Sequence, residues 1–157
     1  MTSNSIDFEL HTAFQGGALN DDEFVDLPAL SKEDKFRELY ADFIKFLGAI
    51  SRNEPLCGKN KPSWTDDQGN VIDGTCAYQE GNYWHYHLGP YSDKQAVKAM
   101  TYNLSENISG LTSSAVVHYQ KINNNSILIV GVSPTHLPFP KSDHPHKNPL
   151  FTDDIDE

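Results

Sequence analysis

The chain has 157 residues, with 22 acidic side chains against 12 Lys and Arg and a formal net charge of -10. That length accommodates one domain with a core of its own and no sizeable second one. No apolar run approaches the roughly 20 residues of a membrane-spanning helix, and the opening MTSNSIDFEL lacks the basic start and apolar stretch of a secretory signal, so the expectation is a cytoplasmic protein with no membrane partner.

Residues 1–30 carry six acids (Asp7, Glu9, Asp21, Asp22, Glu23, Asp26) and no Lys or Arg. Phe8, Phe14, Phe24 and Leu27 are scattered through them without a period, which predicts an acidic N-terminal arm, loose or packed. Ser31 stands before Glu33 and Asp34, where it can cap a helix with an acidic first turn. Phe36, Leu39, Tyr40, Phe43, Phe46, Leu47 and Ile50 follow three and four apart, an amphipathic helix over about 32–51. From Asn53 to Gly81, prolines and glycines predict a long loop interrupted by a short hairpin around Asp67-Gln68-Gly69-Asn70.

A strand is expected over 82–88, stopped by Gly89-Pro90, then a polar excursion in which 93–104 form a short helix. AVVHYQKI (115–122), Asn123-Asn124-Asn125 and SILIVGVS (126–133) read as a β-hairpin whose second strand is apolar on both faces and therefore central. Five prolines from 134 onward end regular structure, and 148–157 add four acids without a base. The prediction is an α+β domain over 31–147, an N-terminal helix packed on a small antiparallel sheet, between the arm 1–30 and an acidic C-terminal tail 148–157.

The charge is concentrated at the ends: residues 31–147 hold twelve acids and all twelve bases. Net acidity disfavours a polyanion partner, since phosphate binding rests on Lys and Arg. A neutral body with acidic ends leaves two readings, solvated tails or an acidic segment that covers a polyanion-binding face, or mimics the polyanion, until a partner displaces it. Cys57 and Cys76 lack the close second cysteine of a zinc site, and two free thiols are expected.

Candidate chemistry centres on YWHYHLGPY, where alternation puts Tyr83, His85 and His87 on one face and Trp84, Tyr86 and Leu88 on the other, core-like one. His118 and His136 stand on or near neighbouring strands. A metal site would draw on His85, His87 and either His118 or His136, but no acid stands near the pair, and no metal or cofactor is expected. Metal-free RNA cleavage needs a base for the ribose 2′-hydroxyl, an acid for the leaving oxygen and a positive charge at the phosphoryl group. Histidines suit the first two roles and Lys121 the third. Tyr119 and Lys121 share a strand face opposite to His118, so one of those sets is structural. Tyr83, Tyr91 and Tyr102 offer rings on which unpaired bases could stack, with Tyr119 a further candidate for substrate binding.

HYHL (85–88), LTSSAVVHY (111–119) and SILIVGVSPTH (126–136), with ADFIKF (41–46) in the helix, resemble the YafO group of RelE-like toxins. The resemblance covers roughly residues 35–136. It implies a single RelE-like domain, an endoribonuclease of a bacterial toxin–antitoxin module that cuts mRNA in association with the ribosome, and a cognate antitoxin as partner. It carries over His85, His87, Thr112, Ser113 and His136 as site residues. Leu111 and Ser114 stand where the group has a basic residue and an acid. The rival reading is a non-enzymatic immunity or inhibitor protein whose acidic surface occupies a basic partner.

Overall fold

The computed structural model describes residues 6–17, 19, 24–92, 97 and 99–135. Nine elements and one 3-10 turn follow in chain order: β1 (Asp7–Leu10), α1 (Thr12–Gly16), α2 (Leu27–Lys32), the turn Asp34–Phe36, α3 (Arg37–Ser51), β2 (Asn60–Pro62), α4 (Cys76–Glu80), β3 (Tyr83–His87), β4 (Val116–Asn123) and β5 (Ser126–Ser133). The strands form one sheet in the order β1-β5-β4-β3-β2. The fold is α+β, as expected, but the sheet is mixed: β1 runs parallel to β5, whereas the other pairs are antiparallel.

The described part of residues 1–30 belongs to this body rather than to a separate arm. β1 is the edge strand beside β5, Val25 bridges Val132, and Phe14, Phe24 and Val25 are buried. The helix expected over 32–51 starts later, as α3 at Arg37, and a separate short helix, α2, precedes it. Asp26 caps α2 by accepting from the Ala29 amide at 3.3 Å, with Pro28 in the first turn, the ordinary start signal that the acidic composition concealed. Ser31 is therefore inside α2, its hydroxyl donating to the Pro28 carbonyl, and is no cap. Extended backbone at Glu33 breaks the helix before α3 begins.

The apolar stripe of α3 buries Leu39, Phe43, Phe46 and Ile50 against one face of the sheet, where the Phe46 ring stacks on Tyr86 with centres 5.1 Å apart. Burying one such side chain fully stabilises the fold by about 1.5–3 kcal/mol, so this stripe accounts for the attachment of α3. The β4–β5 hairpin lies where expected, closed by Asn124-Asn125, and a bulge between His118 and Tyr119 fits the strands to each other.

The segment expected to be loop contains two ordered pieces, β2 and α4. β2 is only three residues long and ends at Pro62, which an edge strand accommodates because its outer side needs no donor. Its first residue, Asn60, is fully buried and donates to the carbonyls of Leu104 and Ser105 while accepting from the Tyr119 hydroxyl at 2.6 Å. Gly58 lets this strand approach: a Cβ there would collide with the His87 carbonyl and the Tyr86 and Tyr91 side chains. The helix expected over 93–104 is not found among the described residues of that stretch. Thr101 bridges Leu56, and Asn103 and Leu104 take φ of 57° and 56°, outside the helical region. No described helix is long and apolar enough to cross a membrane.

Candidate functional site

Alternation along β2 sends Asn60 into the core and Lys59 and Lys61 to the opposite face of the sheet. There Lys61 pairs across the strands with His85, and the Lys59 carbonyl accepts the His87 amide at 2.9 Å. The two lysines and two histidines floor a cleft of about 850 Å³, walled by the 65–68 turn on one side and Thr112-Ser113-Ser114 on the other. Four groups that carry or accept protons are thereby gathered on one strand pair.

Each is held by specific contacts. The Lys59 ammonium lies 2.7 Å from both carboxylate oxygens of Asp67, and Lys61 donates to one of them at 3.0 Å. Hydrogen bonds from these ammoniums hold the Asp67 carboxyl down to about 2. His85 Nδ1 meets the Ser63 hydroxyl at 3.0 Å. His87 Nδ1 lies 3.0 Å from the Ser113 amide and 2.9 Å from the Ser113 carbonyl. An unprotonated Nδ1 accepts from the first and a protonated one donates to the second, so this nitrogen has a partner in either tautomer. The two ring centres are 5.7 Å apart.

The sequence-based candidates divide between the two faces. His85, His87, Thr112 and Ser113 line the cleft. Tyr83 is half-buried and not part of the cleft lining, edge-on to Tyr78 at 6.0 Å between ring centres. Lys121, expected to supply positive charge to the histidines, is on the other face. Its ammonium donates to the Leu104 carbonyl at 2.6 Å and sits 3.5 Å from the centre of the Trp84 ring, and burial lowers its pKa to about 8. Tyr119 is wholly buried on that same face and is bonded to Asn60, which leaves no ring for a base to stack on. The Tyr91 hydroxyl donates to the His87 carbonyl at 2.5 Å, and burial pushes its pKa upward, which makes it a brace for β3. Tyr102 is exposed, away from the cleft lining. His136 lies outside the described residues, as do His144, His146 and the tail 148–157.

His118 shares the histidine face, opposite His85, with ring centres 6.4 Å apart. Its Nε2 meets the Ser133 hydroxyl at 2.6 Å, and Phe24 covers the ring at 4.9 Å between centres. Among the described residues, no group of three or more His, Cys, Asp or Glu side chains could hold a metal ion. Cys57 and Cys76 form no disulfide.

Lys59, Lys61 and Asp67 are the site residues that the sequence reading missed. The signal was present in GKNKPS, where two lysines two apart precede a proline, a spacing that puts both on one face of an edge strand. Comparison of the chain with family models, with curated protein sequences and with solved structures finds no match.

Proposed function

We propose that the protein is a metal-independent endoribonuclease that cuts single-stranded RNA at the cleft, a toxin of the RelE-like, YafO-like kind. The observation that carries this reading is the convergence of His85, His87, Lys59 and Lys61 on one open cleft of an otherwise acidic chain. One histidine takes the ribose 2′-proton, and the 2′-oxygen attacks phosphorus. The bond to the 5′-oxygen breaks, and that oxygen takes a proton from the second histidine. The products are a 2′,3′-cyclic phosphate and a 5′-hydroxyl. Lys59 and Lys61 stand where charge grows on the phosphoryl oxygens, the role first assigned to Lys121. An mRNA on the ribosome as substrate, a cytoplasmic setting and a cognate antitoxin belong to this proposal through the motif resemblance of residues 35–136.

The test is cleavage of a labelled single-stranded RNA in the presence of chelator, with mass analysis of the ends. The expected outcome is a cyclic phosphate from the native chain and a loss of about 100-fold or more with His85→Ala or His87→Ala, the usual contribution of a general acid or base. Native protein that neither cuts nor binds RNA, yet captures a basic protein, would move the acidic-inhibitor reading, favoured by the net charge of -10, to first place.

A further inference from the structure

We propose that the Asp67 carboxylate is a built-in stand-in for a phosphate group, and that a phosphoryl ligand enters the cleft by displacing it from Lys59 and Lys61. The inference rests on the reading of the cleft as a phosphodiester site and adds how that site is kept closed to other anions. Its first support is geometric. Asp67 meets Lys59 through both oxygens at 2.7 Å and Lys61 through one at 3.0 Å, about the 2.7–2.9 Å at which an ammonium binds any oxyanion. The lysine side chains are 11% and 8% exposed, whereas that of Asp67 is 52% exposed. The cations are thus built into the sheet while the anion reaches in from outside.

The second support is a division of labour between adjacent aspartates. The 65–71 turn is held by Asp66, whose Oδ1 accepts from the Gln68 and Asn70 amides at 2.9 Å each, and by the Thr65–Val71 bridge. Among the described residues the Asp67 carboxylate bonds to Lys59 and Lys61 and to no group of the turn, so its side chain can swing away without unmaking the turn that carries it. Two ammoniums facing one carboxylate leave one positive charge over, so a phosphodiester replaces Asp67 charge for charge and a phosphate dianion neutralises the pair. Thr65 Oγ1, buried at the cleft wall with no hydrogen-bond partner among the described residues, gains one from such a ligand. Because the carboxyl is held at about 2, it remains charged at every ordinary pH and yields to a competing anion, not to protonation. An intramolecular carboxylate has a high effective concentration, which screens out weakly held anions.

The experiment compares the native chain with Asp67→Asn by calorimetric titration with inorganic phosphate and with a short 2′-O-methyl RNA that cannot be cut. The expected result is roughly tenfold tighter binding of both probes by the variant, the scale on which a charge-assisted hydrogen bond competes. The gain should vanish when Lys59→Ala and Lys61→Ala are added. Equal or weaker binding by Asp67→Asn overturns the proposal. A gain for phosphate without any RNA binding keeps the stand-in and removes the RNA reading, whereas equal RNA binding by both chains does the reverse. Should the variant melt too early to titrate, the native protein decides: phosphate should shift the side-chain carboxyl carbon signal of Asp67 and leave that of Asp66 in place. An unmoved Asp67 signal overturns the proposal.

Discussion

One sheet carries lysines on both faces, buried on the cleft side and half-buried on the other, and they are solvated by different means. On the α3 face, Lys121 meets the neutral Leu104 carbonyl and Trp84 ring, and burial lowers its pKa against the weaker opposing pull of the Glu106 carboxylate. On the cleft face, Lys59 and Lys61 meet a full negative charge that sits half in solvent. A cation held mainly by neutral groups has no bound anion to give up, whereas cations facing an exposed carboxylate can exchange it for another anion. The first arrangement is a packing solution and the second is the candidate site.

The contrast breaks most readily through stability. Tyr119→Ala removes a wholly buried ring from the α3 face and a partner from Asn60, and should cost about 3–5 kcal/mol in denaturant unfolding. His85→Ala on the cleft face should cost about 1–2 kcal/mol, on the scale of one hydrogen bond and modest packing. Equal losses would mean that both faces are core. Next in size is the salt dependence of RNA binding. Replacing Lys59 and Lys61 together by Ala should lower the slope of log affinity against log salt by about 1.4, roughly 0.7 for each phosphate contact to a single strand. Lys121→Ala should leave that slope unchanged, and a change there would return Lys121 to the binding surface.

The smallest effect is the titration of Lys121. Its pKa is about 8 in the folded chain against an ordinary 10.5, so between those values the unfolded chain binds more protons. Stability therefore rises with pH across that window, the burial penalty being present below about 8 and relieved above it. Melting curves from pH 7 to 10 should show this rise in the native chain and a smaller one in Lys121→Met, which keeps the stem over Trp84 without the charge. Identical profiles would mean that the ammonium is not buried as described.

What could be read from sequence was what repeats locally. The stripe from Leu39 to Ile50, the alternation in YWHYH and the β-branched hairpin each specify their element within a few residues, because the period is the cause of the burial. β1 and β2 were missed for the opposite reason. DFEL alternates for only four residues, and NKP has no strand propensity, so both strands are made by partners far along the chain, Ser126–Ile129 for one and Trp84–Tyr86 for the other. The site divided in the same way. His85 and His87 were legible from their own strand. Lys59, Lys61 and Asp67 join them only through a pairing that short-range pattern does not encode, and the lysine chosen from the hairpin proved to be on the wrong face. That Tyr119 and Lys121 oppose His118 was readable, but not which set was structural.

The pairing of β1 with β5 has a consequence for synthesis. Asp7–Leu10 leave the ribosome early, yet their partners, Ser126–Ile129, emerge only after nearly all the described chain has been made. Until then Phe14, Phe24 and Val25 have no completed sheet to cover, and the Phe24 lid over His118 cannot form. A nascent chain gains its long-range contacts late and pays the loop-closure entropy first, which slows folding. The sheet behind the cleft is therefore complete only once β5 has been made, and a chain that stops short of β5 carries the histidines of β3 without the full sheet that backs them.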